Sequence, residues 1–257
     1  MSVFISVVSH GHGKLIQELG CLLELAKHFH VVVKINKKEP ELLPYFEGHG
    51  IHYIDSDYGL GFGHNNNMVY RYCQHQLGMK PDDIFCVFNP DVVSTSAVFK
   101  QLLERMKLDN CQLAGVNLYK DEDFTIPDNS IRHFPSLFEL VKSFLGLGNN
   151  TQIDKSKVLT PISVDWAAGS FLAFKSSLYQ QLKGFDQGYF MYCEDIDICF
   201  RSKQMGVPLT FYPDIRMLHL AKHANRKIFS KHFYWHVSSV VRFLMSKIGL
   251  VTPKTLL

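Results

Sequence analysis

Apolar residues fall along the first 120 positions in two alternating rhythms. VFISVVS (3–9), HVVVKIN (30–36), IHYID (51–55), IFCVFNPD (84–91) and QLAGVNLY (112–119) are short apolar runs rich in β-branched and aromatic residues. Runs of that length and composition predict buried strands. Between them, KLIQELGCLLELAKHF (14–29), NNMVYRYCQHQLG (66–78) and a segment near 95–107 read as amphipathic helices. Strands alternating with helices imply an α/β fold, its largely parallel sheet covered on both faces. Residues 120–162, with Pro127, Pro135, Pro161 and a GLGNN turn, predict loops and a short helix. No repeat and no low-complexity linker interrupts the chain, so one domain over 1–257 with a C-terminal helical extension is expected.

In an open parallel sheet, ligands bind beyond the carboxyl ends of the strands. Here those ends carry Ser9-His10-Gly11, Asn36-Lys37 and Asn89-Pro90-Asp91, and the third strand is followed by YGLGFGHNNN (58–67). Glycines allow close backbone approach to a ligand, and helix N-termini favour phosphate. Each segment alone is an ordinary turn; their coincidence at strand ends predicts a ligand-binding edge. Asp91 is delivered there by five apolar residues and a proline. Such a carboxylate can hold Mg²⁺ or Mn²⁺ together with substrate phosphates. It can equally be a turn residue or the N-cap of the helix that follows.

FMYCEDIDICFR (190–201) gathers acids among apolar and aromatic residues. With 193–204 on a helix, Asp197 and Arg201 form an i,i+4 pair, acid first. Glu194 and Asp195 fall in the first turn, where carboxylates complement the helix dipole. Each acid therefore has a structural explanation. The aromatic loop GFDQGYFMYC (184–193) nevertheless walls them into a cleft, a setting that suits a general base.

Composition narrows the class. An apolar fraction of 46% excludes wholesale disorder. Six cysteines (21, 73, 86, 111, 193, 199) show no metal-ligand spacing and sit mostly in apolar runs, so reduced thiols and a cytoplasmic chain are expected. The N-terminus has no basic n-region, and no apolar run approaches the length of a membrane span. The net charge of +3 hides an asymmetry: residues 215–257 hold eight of the 27 bases and no acid, leaving 19 bases against 24 acids before them. A basic tail predicts an anionic partner, with phosphate groups or a membrane surface preferred, since no nucleic-acid-binding motif is present. Within it Phe229, Phe233, Val237, Val240, Val241, Leu244 and Ile248 form a stripe flanked by Lys227, Lys231, Arg242 and Lys247. Such a helix either lies in a membrane interface or packs its stripe on the domain.

NPD, VDWAAGSF (164–171), GFDQGYFMYCEDIDICFR (184–201) and His219 together resemble the inverting family 2 glycosyltransferases of GT-A fold. YGLGFGHNNN, IRHFP (131–135) and LHLAKHANRKIFSKHFYWH (218–236) are most similar to the rhamnosyltransferases of O-antigen and cell-wall polysaccharide assembly. The resemblance implies L-rhamnose transfer from dTDP-L-rhamnose to a polyprenyl-diphosphate-linked GlcNAc-type acceptor, at the inner face of the cytoplasmic membrane. The alternatives are another donor, such as a galactofuranose or glucose nucleotide, or a catalytically silent sugar-nucleotide-binding protein. It implies a nucleotide-binding half at 1–119, an acceptor and catalytic half at 120–214 and the tail at 215–257. Asp195 would be the base with Glu194 beside it, and Asp91 the metal-holding acid with Mg²⁺ or Mn²⁺, Asn89 replacing the motif's first acid. Ser9, His10, Asn36, Gly61, Asn66, Asn67 and Asn89 would face the donor nucleotide. Asp165, Trp166 and Gly169 would line the sugar and acceptor region, while His219 and Arg226 would reach the diphosphate or metal. The family's second strand usually ends Asp-Asn, but here Ile35 precedes Asn36, so Asn36 or a neighbour would have to read the base.

Overall fold

The computed structural model describes residues 1–135, 151–220, 231–255 and 257. Its main sheet contains β1 (Val3–Ser9), β2 (His30–Ile35), β3 (His52–Ile54), β4 (Ile84–Phe88), β5 (Val92–Val93), β6 (Leu113–Tyr119), β8 (Ile162–Val164), β10 (Phe171–Lys175) and β11 (Leu209–His219). They lie in the order β3-β2-β1-β4-β10-β6-β11-β5, with β8 added on β11. A separate two-stranded sheet pairs β7 (Ile131–Arg132) with β9 (Trp166–Ala167). The parallel run expected from the alternation is β3-β2-β1-β4. Beyond it β10 pairs antiparallel with both β4 and β6, so the complete sheet is mixed.

Side chains alternate across a strand, and this period of two divides the core between the faces. Phe4, Val32, Phe85 and Val87 pack on one face with Tyr70 of α4 (Phe62–Gln76), Tyr179 of α6 (Ser176–Gln181) and Ile198 of α7 (Glu194–Gln204). Val3, Ile5, Val7, Val31 and Val33 pack on the other with α1 (Gly13–Leu19), α2 (Cys21–Ala26), α3 (Leu43–Gly48) and α5 (Ser96–Leu108). The segment expected as one helix over 14–29 is two, because Gly20 adopts φ 61 between them, a left-handed value that glycine accepts without a Cβ clash. Helix α4 begins at Phe62, inside the glycine-rich segment expected as loop. Thr95 caps α5, its Oγ1 accepting from the Val98 amide at 3.4 Å, so Asp91 is not the cap of that helix. β11 carries Pro213, which cannot donate to a ladder; the register with β6 shifts between Tyr212 and Arg216, a bulge that accommodates it.

The basic tail supplies α8 (Lys231–Lys247). Val240 and Phe243 are buried and Leu244 packs against the core, so part of the expected stripe faces the domain. Phe233, Tyr234, Val241, Met245 and Ile248 are exposed, as is Leu250. Arg242 is not a surface cation: Nε donates to Asp186 Oδ2 at 2.7 Å and Nη2 to Oδ1 at 2.9 Å, and Asp186 is buried. Lys222, Arg226, Lys227, Phe229, the side chain of Lys231 and the GLGNN turn lie outside the described residues. No helix among the described residues is long and apolar enough to cross a membrane.

Removing one partner of a buried ion pair leaves the other charge uncompensated, at a cost of about 3–5 kcal/mol. Arg242→Gln should therefore lower the urea midpoint by an equivalent amount with the slope unchanged. A loss below about 1 kcal/mol, the range of an exposed pair, would contradict this anchoring.

Candidate active site

The strand-end edge divides into residues that face outward and residues that hold loops. Ser9 is buried, and its Oγ donates to Glu39 Oε2 at 3.0 Å. The amides of Gly11 and Gly13 donate to the same carboxylate at 3.1 and 2.9 Å, so the β1–α1 turn closes around an acid of its own chain. His10 is exposed, with Nδ1 3.4 Å from Asn36 Nδ2. Asn36 spends its amide on Leu60: Nδ2 donates to the carbonyl and Oδ1 accepts from the amide, both at 2.9 Å. It therefore pins the 58–61 turn to the end of β2.

Asn66 and Asn67 do not face the nucleotide edge as expected. Both are buried within α4 because the helix starts earlier than its apolar pattern suggests. Asn66 Oδ1 accepts from Ser6 Oγ at 2.7 Å, and its Nδ2 donates to the Phe62 carbonyl at 3.0 Å. Asn67 accepts from the Tyr179 hydroxyl and the Phe185 amide at 2.7 and 2.9 Å and donates to the Phe185 carbonyl at 2.8 Å. Gly61 is where α4 meets the 184–193 loop: a Cβ there would sit 2.5 Å from the Phe190 carbonyl oxygen.

Asn89-Pro90-Asp91 forms the turn between β4 and β5, closed by the Val92 amide on the Asn89 carbonyl at 3.1 Å. β5 pairs antiparallel with the end of β11, and the Leu220 amide donates to the Asp91 carbonyl at 3.0 Å. This register sets Asp91 beside His219. His219 Nε2 lies 3.5 Å from Asp91 Oδ1, while Nδ1 is bonded to Asp128 Oδ2. Burial pulls the imidazole pKa down, but the two carboxylates outweigh it and raise it to about 9. Burial likewise pushes both acids up, and bonding to His219 brings each below its ordinary value. Among the described residues no three His, Cys, Asp or Glu side chains form a ready metal cage. Asp91 and His219 nevertheless fit a cation shared with substrate phosphates, since Mg²⁺-type sites take one or two protein carboxylates and leave the rest to substrate and water. Asp128 was not singled out in the sequence; a PDN turn carries no signal beyond its turn chemistry.

The 190–201 acids separate by environment. Tyr192 and Cys193 both have left-handed backbones, φ 74 and 63, immediately before α7. Positive φ at two bulky residues in succession is a strain of roughly 1–3 kcal/mol each, of the kind found at functional turns. Asp197 is fully buried and bonded to Arg201 Nε at 2.7 Å, Ser246 Oγ at 3.0 Å and the Tyr189 hydroxyl at 3.3 Å. Arg201 also donates to the Leu182 and Gly184 carbonyls, so the expected pair is a structural rivet. Asp195 is partly exposed; Oδ2 accepts from the Gly169 amide at 3.0 Å and Oδ1 from the Ile196 amide at 2.9 Å. Glu194 is 7% exposed, and its Oε2 has no hydrogen-bond partner. Burial, then the neighbouring Asp195 charge, pushes Glu194 up to about 8; burial also raises Asp195, against the pull of the Gly169 and Ile196 amides.

Asp165, between β8 and β9, ties that junction to α7: Oδ2 accepts from the Phe134 amide at 2.9 Å and Oδ1 from Lys203 Nζ at 2.6 Å. Trp166 donates its indole N–H to the His133 carbonyl at 3.0 Å. Gly169 leaves little room, since a Cβ there would lie 3.0 Å from the Phe62 ring. Arg132 sits over the Trp166 ring at 5.7 Å, and its charge favours the ionised form of Asp195. It was visible in the sequence only as part of IRHFP. Arg226 lies outside the described residues.

Solved structures share this architecture. GalNAc-T7, crystallised with UDP, GalNAc and Mn²⁺, superposes with a TM-score of 0.58 at 12% identity, over 85% of this chain and 44% of that one. S. aureus TarS 1-349 in complex with UDP-GlcNAc gives 0.56 at 11% identity, over 95% and 67%. The fold is that of the GT-A glycosyltransferases. No protein-family model matches the chain. It is, however, 36% identical over 250 residues to rhamnosyltransferase WbbL of Escherichia coli (strain K12), covering 95% of this chain and 93% of that protein. It is also 29% identical over 173 residues to the N-acetylglucosaminyl-diphospho-decaprenol L-rhamnosyltransferase of Mycobacterium tuberculosis, covering 65% and 56%. The chain belongs to the rhamnosyltransferases of glycosyltransferase family 2.

Glu194 makes the site's titration legible in stability. The folded carboxyl keeps its proton up to about 8, whereas the unfolded one releases it near 4.5. Across that window the native state binds more protons, so stability should fall as pH rises. Glu194→Gln should remove the Glu194 share of this decline, leaving that of His219, and exceed the native protein in stability at pH 8 by an amount on the order of a few kcal/mol. Parallel pH slopes for the two proteins in urea titrations would contradict it.

Proposed function

We propose that this glycosyltransferase moves L-rhamnose from dTDP-L-rhamnose to a polyprenyl-diphosphate-linked GlcNAc-type acceptor, with inversion. The observation that carries the reading is Asp195: it is the partly exposed acid of the turn, held by two backbone amides beside the buried Glu194. Such a carboxylate can accept the acceptor hydroxyl proton as that oxygen attacks the anomeric carbon. The glycosidic bond forms as the bond to the diphosphate oxygen breaks; dTDP departs with the electron pair, and the proton stays on Asp195. One base and a good leaving group suit a single displacement, hence inversion. Glu194 keeps the turn apolar in character while it is protonated, which limits charge repulsion next to the base.

Asp91 and His219 would hold the divalent ion, which when bound neutralises charge on the diphosphate leaving group. His10, Gly61 and Asn89 would border the donor nucleotide directly, while Ser9 and Asn36 shape its loops. Asp165, Trp166 and Gly169 would form the acceptor wall, and Arg226 would reach the diphosphate. In this reading 1–119 is the donor half, 120–214 the acceptor half and 215–257 the membrane-facing tail. The printed name of the M. tuberculosis relative, a rhamnosyltransferase acting on N-acetylglucosaminyl-diphospho-decaprenol, supports a lipid-linked acceptor. The outward face of α8, with Tyr234, Val241, Met245 and Ile248 exposed in a tail without acids, supports peripheral attachment to the inner face of the membrane.

Two measurements test this. With dTDP-rhamnose and a short polyprenyl-diphosphate-GlcNAc acceptor, Asp195→Asn should transfer sugar roughly 10²- to 10⁴-fold more slowly, with donor affinity unchanged; a native rate removes Asp195 as the base. Native protein should co-sediment with phosphatidylglycerol vesicles at low salt, and a Val241→Ser, Met245→Ser, Ile248→Ser triple variant should not. If the native protein ignores such vesicles, α8 is a packing element only.

A further inference from the structure

His219 has a carboxylate on each ring nitrogen, and only one of them belongs to the edge where the donor would sit. Asp91 stands in the β4–β5 turn, toward Nε2. Asp128 stands on the far side, bonded to Nδ1, in the loop that leaves β6. Its backbone is fixed as well: the Asp128 amide donates to the Leu118 carbonyl at 2.9 Å, and Tyr119 and Pro127 form a bridge beside it. A buried lysine completes the arrangement. Lys155 donates Nζ to the same Leu118 carbonyl at 2.9 Å, which helps fix the backbone beside Asp128. A fixed acceptor on Nδ1 keeps hydrogen on that nitrogen and the ring in one orientation, so a cation that displaces the Nε2 proton meets that nitrogen already turned toward it.

We propose that Asp128 is a positioning residue that holds Nδ1–H of His219 and thereby presents Nε2, alongside the Asp91 carboxylate, to a divalent cation. This rests on the reading above that Asp91 and His219 hold the ion. Metal-bound histidines generally donate their second ring N–H to a carboxylate or carbonyl, and loss of that partner typically weakens metal affinity 10- to 100-fold. Asp128 is not a ligand here. Its side chain bonds to the imidazole, and its contribution passes through the ring orientation. Lys155 Nζ and the Asp128 amide share the Leu118 carbonyl, so the 151–158 segment is tied to the backbone that carries Asp128.

The test is Mn²⁺ binding to the full chain in the presence of dTDP, followed by the loss of the free-ion EPR signal and by ¹⁴N hyperfine coupling from imidazole. Native protein should bind Mn²⁺ with nitrogen coupling, which Asp91→Ala and His219→Gln should each diminish. Asp128→Ala should weaken binding 10- to 100-fold and reduce the nitrogen coupling. Asp128→Asn, which keeps a carbonyl oxygen to accept Nδ1–H, should recover part of both. The Asp128→Ala, His219→Gln double variant should bind no more weakly than His219→Gln alone, because both changes act on one ligand. Native affinity and coupling in Asp128→Ala, or additive losses in the double variant, would overturn the positioning role while leaving the metal reading intact. Failure of the native protein to bind Mn²⁺ with dTDP would overturn the metal reading itself. Should Asp128→Ala not fold, as judged by circular dichroism, the Asn variant carries the test: losses as great as those of His219→Gln overturn the positioning role, and smaller ones support it.

Discussion

The turn that carries Asp195 depends on two buried carboxylates. Asp186 sits near the start of the 184–193 loop and Asp197 just beyond its end, and both reach into α8, one through Arg242 and the other through Ser246. Neither could be buried as a charge without such partners. Their combined hold over-determines the loop between them, which is the condition under which consecutive left-handed residues such as Tyr192 and Cys193 persist. The strained turn fixes the first residues of α7, so the position of Asp195 is inherited from contacts made by its neighbours. The tail therefore serves the acid site structurally before any question of a membrane arises.

A second constraint acts from the sheet. The edge pairing of β5 with β11 is only two residues long, yet it brings position 91 beside position 219. Next to β4, β10 enters antiparallel between β4 and β6, and the turn before it offers the Gly169 amide to Asp195. The candidate metal edge and the candidate base thus hang from adjacent strands of one sheet. Loop rearrangements alone cannot easily separate them, because β4 and β10 share a continuous ladder from Ile84 to Phe88.

The sequence made much of this legible where a periodicity covers several residues. Strands β1 to β4, β6 and the helix α7 were found because apolar runs and i,i+4 charge pairs are local signals. The strands after 120 were not, since β11 hides its pattern behind Pro213 and a bulge, and β7 and β9 are two residues long. The same limit explains the site. Asp91, Asp195 and the Asp197–Arg201 pair announce themselves through short motifs. Asn66 and Asn67 misled because polar amides at a helix start look solvent- or ligand-facing, whereas here they satisfy buried groups 60 to 118 positions away. Asp128 and Arg132 gain meaning only through partners distant in sequence, and no local pattern encodes those.

The gathering of acids at 194–197 follows from the different ways each charge is accommodated. Asp197 is buried with three side-chain donors, including a guanidinium, and serves as structure. Glu194 is buried with an orphaned oxygen, so its environment disfavours ionisation and the proton stays. Asp195 lies between these extremes: two backbone amides support its charge, and partial exposure leaves it reachable. A run of three ionised carboxylates would repel strongly in so apolar a setting. Neutralising one by protonation and another by pairing leaves a single acid of the run with both basicity and access. That sorting, rather than the number of acids, is what makes the turn a plausible place for proton transfer.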